Sequence, residues 1–110
     1  MADFNQIISF ISETIRLNYN PEEIILFGSH AYGNPHENSD IDICVIKDIE
    51  KNQIRAFKLS ILTNLRQIIV NNKIDIDIIV NSRTKITERI NTGDLFYKEI
   101  IDKGKIIYAK

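Results

Sequence analysis

Four aspartates fall in two alternating runs, Asp40 and Asp42 in "SDIDICV" and Asp75 and Asp77 in "IDIDIIV". Successive side chains of an extended chain point to opposite faces, so Asp40 and Asp42 share one face while Ile41, Ile43 and Val45 share the other. Asp75 and Asp77 repeat the pattern. Three or four carboxylates collected in one place repel each other unless a cation lies between them. Hard oxygen ligands of this kind suit Mg²⁺ or Mn²⁺. Two such ions, about 3.5–4 Å apart, can clamp the attacking and leaving oxygens of a phosphoryl or nucleotidyl transfer.

A second element precedes the first acid pair. The apolar run "EIILF" ends in Gly28-Ser29. Glycine lets backbone approach a ligand closely, and a turn after a strand can aim N–H groups at phosphate oxygens. The Ser29 hydroxyl adds a donor. A triphosphate would then lie between this turn and the metal-holding acids. A lone Asp-x-Asp is more often the wet face of a half-exposed strand. The combination with Gly28-Ser29 upstream and a second acidic strand downstream points to a site. Asp75 reads equally well as an outer acid of that site or as a solvated residue at a strand entry.

These residues need elements to hold them. Residues 4–18 carry Phe4, Ile7, Ile8, Ile11 and Ile15 at helical spacing behind an Asp3 cap. Pro21 stops that helix. Residues 23–28 read as a buried strand, 29–39 as a loop with room for one helical turn, and 40–46 as a second strand. Residues 53–71 form the clearest helix, with Ile54, Phe57, Ile61, Leu62, Leu65, Ile68 and Ile69 on one face. A third strand follows at 74–80, then helices at 83–91 and 94–102 and a short edge strand at 105–109. Ser29 at the exit of the first strand and Asp40 at the entry of the second make those strands antiparallel if both serve one site. The helix then returns the chain, so the third strand runs parallel to the second. That topology sets Asp75 and Asp77 beside Asp40 and Asp42. The expected fold class is α/β (α+β), a small mixed sheet flanked by helices in a single domain over residues 1–110.

Composition narrows the function classes. The 110 residues carry a net charge of -1, which gives no bulk attraction to nucleic acid or anionic membrane. No apolar run approaches the ~20 residues of a membrane span, and the N-terminus lacks signal-peptide features. Cys44 is the sole cysteine, so no internal disulfide forms and a cytoplasmic location is expected. One cysteine and two histidines are too few for a zinc site. Cys44 lies on the aspartate face one step deeper, where a small buried hydrophobe fits best. His30 and His36 read as solvated loop residues, with a general base as the alternative, and Tyr32 either stacks on a base or packs. Ser39 orients the acidic strand or simply makes a turn.

The stretch "GSHAYGNPHENSDIDICV" resembles the signature of the DNA polymerase β-like nucleotidyltransferase superfamily, and within it the small minimal nucleotidyltransferases. The matching residues are Gly28, Ser29, Gly33, Ser39, Asp40, Asp42 and a third acid on a later strand, for which the "DIIV" at Asp77 fits the family pattern better than the surroundings of Asp75. The tail "EIIDKGKIIYAK" is also similar to the ends of such proteins. The resemblance implies the polymerase β-like fold and transfer of a nucleoside monophosphate, AMP from ATP, onto a hydroxyl. It implies metal binding by Asp40, Asp42 and Asp77, with two Mg²⁺ ions, and triphosphate binding by Gly28 and Ser29. It also implies a helical HEPN-type toxin as partner, with this chain as antitoxin of a type VII-like pair. Family members often carry arginines in the loop after Gly-Ser, whereas this chain has His30 and Tyr32 there.

A core this small leaves little chain for a small-molecule acceptor pocket, which favours a protein acceptor. The alternative is a weakly catalytic or non-catalytic module that neutralises its partner by occlusion. Homo-oligomerisation is open to both. A carboxylate-pair hydrolase has nothing beyond close acids in its favour.

Overall fold

The computed structural model describes residues 3–34 and 40–110. Ser39 and His36 lie outside the described residues. Helix α1 spans Phe4–Tyr19. Its N-terminus is closed by a capping box, in which Asp3 accepts from the Gln6 N–H and the Gln6 side chain accepts from the Asp3 N–H. Asn20 ends it in the left-handed conformation at φ 48°, and Pro21 prevents continuation.

Strand β1 (Glu23–Phe27) leads into a 3₁₀ turn at Gly28–His30, and β2 covers Ile41–Ile46. Helices α2 (Ile54–Asn64) and α3 (Arg66–Asn72) return the chain to β3 (Ile76–Asn81). Helices α4 (Arg83–Asn91) and α5 (Leu95–Lys103) precede β4 (Lys105–Ala109). The four-stranded sheet has the order β3-β2-β1-β4. β1 is antiparallel to both β2 and β4, and β2 and β3 are parallel. This is the mixed α+β sheet expected from the spacing of the acids, with β4 on an edge.

The alternation of each strand sorts side chains into two cores. Ile24, Leu26, Ile41, Ile43, Val45, Ile76, Ile78 and Val80 face Ile7, Ile11 and Ile15 of α1 and Ile61 of α2. Ile25, Phe27, Cys44 and Ile46 face Ile86 of α4 and Tyr97 and Ile100 of α5. Each fully buried isoleucine or leucine contributes roughly 1.5–3 kcal/mol of transfer free energy.

Two local expectations change. The helix expected to run unbroken over 53–71 is interrupted at Leu65, which has φ -96° and ψ 0°. The Thr63 hydroxyl donates back to the Leu59 carbonyl at 2.8 Å, a contact that bends helices. Ile61, one turn before the interruption, and Leu65, at it, are both fully buried in the core against the sheet. The third strand starts at Ile76 rather than at 74, which leaves Asp75 just before it.

Candidate active site

The β1–β2 and β2–β3 registers build the site row by row. Phe27 pairs with Asp42, and Asp42 pairs in turn with Asp77. Directly opposed residues on neighbouring strands point to the same face. Phe27, Asp42 and Asp77 therefore form one row across three parts of the sheet, at the end where β2 and β3 begin. Asp40 and Asp75 lie one step outside that row. The Ile41 N–H donates to the Asp75 carbonyl at 2.9 Å, which ties the two strand entries together. Asp40, Asp75 and Asp77 are exposed, and Asp42 is half-buried.

The electrostatics follow from the packing. The Asp42 carboxyl is held above the ordinary carboxylate range, first by partial burial and then by the negative charges of Asp77 and Asp40. His30 acts in the opposite direction. Among the described residues no three Asp, Glu, His or Cys side chains close into a ready-made metal cage. The donor set is nevertheless one that a hard divalent cation fits. It consists of carboxylates only, on adjacent strand ends, and their mutual repulsion is what a positive charge would relieve.

Gly28 brings the turn against the acids. Its φ is +75°, in the region that favours glycine, and a Cβ there would run into the Asp42 carboxylate oxygen. The backbone of the turn thus lies directly against the acid that leads the row. The 3₁₀ turn is closed by the Ala31 and Tyr32 N–H groups, which both donate to the Gly28 carbonyl at 3.0 Å. Gly33 permits a second close approach, since its Cβ would come 2.7 Å from the Ser29 Cα. Ser29 is half-buried at the head of the turn. The His30 ring stacks on Phe4 of α1 with centroids 4.8 Å apart, so the first helix braces the turn.

The structure brings Gly28, Ser29, Asp40, Asp42 and Asp77 to one end of the sheet, with Asp75 beside Asp40. Tyr32 packs against the second core. Cys44 is fully buried, and burial lifts its thiol to about 12, with the Glu23 charge adding to the rise. It is a core residue, with no thiolate to offer. Sequence reasoning missed two aromatic groups at this end. Phe27 shows only as one apolar residue of a buried strand. Phe96 shows only as part of a helix, and its position beside Phe27 comes from packing.

The chain matches the family model described as Polymerase beta, Nucleotidyltransferase, over residues 6–110. It is 30% identical over 87 residues to the Methanocaldococcus jannaschii protein named "Putative protein adenylyltransferase MJ0604", which spans 79% of this chain and 78% of that protein. The fold is similar to a chain in a "Crystal structure of the toxin-antitoxin with AMP-PNP", with a TM-score of 0.55 and 20% identity, over 94% of this chain and 73% of the other. With the acids on their two parallel strands and the glycine turn against them, the protein belongs to the polymerase β nucleotidyltransferase family.

Proposed function

We propose that this nucleotidyltransferase moves AMP from ATP onto a hydroxyl of a partner protein, a HEPN-type toxin that it thereby neutralises. The observation that carries the reading is the row in which Asp42 stands opposite Asp77 while the Gly28 backbone lies against Asp42. It sets a glycine turn beside carboxylates, the pairing that phosphate and metal binding at one site would need. The protein acceptor is supported by the name of the M. jannaschii relative, and the toxin partner by the toxin–antitoxin fold relative.

Gly28 and Ser29 hold the β- and γ-phosphates by backbone approach and the Ser29 hydroxyl. Asp40, Asp42 and Asp77 would hold Mg²⁺, or Mn²⁺ as a substitute, and the bound ion would supply charge neutralisation for the phosphates and for the ionised acceptor oxygen. Asp77 takes the acceptor proton in this reading, which its exposure in the row supports. The acceptor oxygen attacks the α-phosphorus, a new ester P–O bond forms, and the bond to pyrophosphate breaks. The row is exposed at Asp77, and Asp40 just outside it is exposed as well, which suits an acceptor presented by a macromolecule.

The test is incubation with Mg²⁺, ATP and the product of the neighbouring gene, followed by intact mass spectrometry of that product. A mass increase of one AMP is expected, and Asp42→Asn should abolish it while leaving the fold intact. No adduct, together with continued neutralisation by Asp42→Asn, would establish occlusion in place of transfer.

A further inference from the structure

Phe96, at the start of α5, is 53% exposed, and its ring meets the buried Phe27 ring edge-on at 5.8 Å. A second edge contact, to Tyr97 at 5.7 Å, holds it from the helix side. Phe27 is the register partner of Asp42 and immediately precedes Gly28. The Phe96 ring therefore lies on the rim of the aspartate row, fixed by two rings yet open on the remainder of its surface. Among the described residues, the other aromatics near the row have partners of their own. Phe27 and Tyr97 are buried, and the Tyr97 hydroxyl accepts from the Asn81 amide at 3.0 Å. Tyr32 packs into the second core, and Phe4 stacks on His30.

A triphosphate held by Gly28-Ser29, with its α-phosphorus at the acids, carries its nucleoside across the aspartate face. We propose that Phe96 is the platform on which the nucleobase of that substrate stacks. The inference rests on the nucleotide-transfer reading above. It adds a positioning residue that binds the base and touches no reacting atom. A pre-fixed aromatic ring suits this task because little side-chain freedom remains to be lost on binding. Every base has a π-face, so the platform requires a base without discriminating strongly between bases.

The chain contains no tryptophan, so Phe96→Trp introduces a single indole at the rim. Its fluorescence should be quenched by Mg·ATP and left unchanged by Mg·tripolyphosphate, which has no base. Phe96→Ala should weaken Mg·ATP binding by about 10- to 100-fold, the range for loss of a base–aromatic stack, with Mg·tripolyphosphate affinity unchanged. Phe96→Tyr should restore ATP affinity. Leu95→Ala removes an adjacent, 76% exposed apolar side chain and should change neither affinity. Equal loss of both ligands in Phe96→Ala, or wild-type ATP affinity in that variant, overturns the platform alone. A wild-type chain that binds no Mg·ATP overturns the transfer reading and the platform with it.

Discussion

Alanine at Gly28 tests the central geometric claim, because two separable effects meet at that residue. The first is backbone strain. At φ +75° a non-glycine residue costs roughly 1–2 kcal/mol. Taken alone, 1 kcal/mol lowers the melting temperature of a chain of this size by roughly 4–8 °C. The second is local. The added Cβ runs into the Asp42 carboxylate oxygen and would also lie 3.1 Å from Cγ, so Asp42 must swing away or β1 and β2 must separate. Misplacement of a catalytic group by about 1 Å costs on the order of 10²-fold in rate. Gly93 supplies the control. Its φ is +97°, but a Cβ there meets nothing within 4 Å. Gly93→Ala should therefore lower the melting temperature and leave AMP transfer near wild type. Gly28→Ala should lower it at least as much and reduce transfer by about 10²-fold or more. Both are assayed well below their melting temperatures, by intact-mass detection of the AMP adduct and by titration calorimetry with Mg·ATP. Wild-type transfer by Gly28→Ala, or equal losses in the two variants, would refute the view that the turn is built against Asp42.

Three further outcomes follow from the packing. Asp42 has a raised carboxyl pKa in the metal-free fold, so its contribution to stability is present below the unfolded value near pH 4 and is lost as pH rises through the folded value. Metal-free Asp42→Asn should accordingly melt higher than wild type at neutral pH, and it should lose the stabilisation that Mg²⁺ gives the wild type, both read by calorimetry. The buried Cys44 thiol, lifted to about 12, should resist iodoacetamide at pH 8 in the folded protein and react fully in denaturant, as followed by mass spectrometry. Leu65→Ala and Ile61→Ala each open a fully buried site and should cost about 2–5 kcal/mol in urea unfolding, whereas Leu59→Ala, at a position 55% exposed, should stay within about 0.5 kcal/mol.

Local physics made most of the fold legible in the sequence. The Asp3 cap, the isoleucine periodicity of α1 and the alternation of "DIDICV" depend on neighbours within a turn or two, and the elements form where those signals stand. The same alternation, with the order of elements, was enough to place both acid pairs at one end of a mixed sheet. What escaped was set by long-range contacts. The interruption at Leu65 lies within an unbroken apolar pattern, and Ile61 and Leu65 are both fully buried against the sheet. By alternation alone Asp75 and Asp77 look alike in "IDIDIIV", and only the family pattern favours Asp77. The β2–β3 register distinguishes them, placing Asp77 opposite Asp42 and leaving Asp75 before the strand as a backbone acceptor.

Residue types and their spacing thus singled out the carboxylates and the glycine turn as the groups whose chemistry suits a hard cation and phosphate. Distance and exposure were decided only by the tertiary structure. It set the Gly28 backbone against the Asp42 carboxylate, braced the turn with Phe4 on His30, and left Phe96 open beside Phe27. These contacts join residues up to 69 positions apart in sequence (Phe27 and Phe96), and no local pattern encodes them. They arise because two layers of helices pack against opposite faces of one sheet.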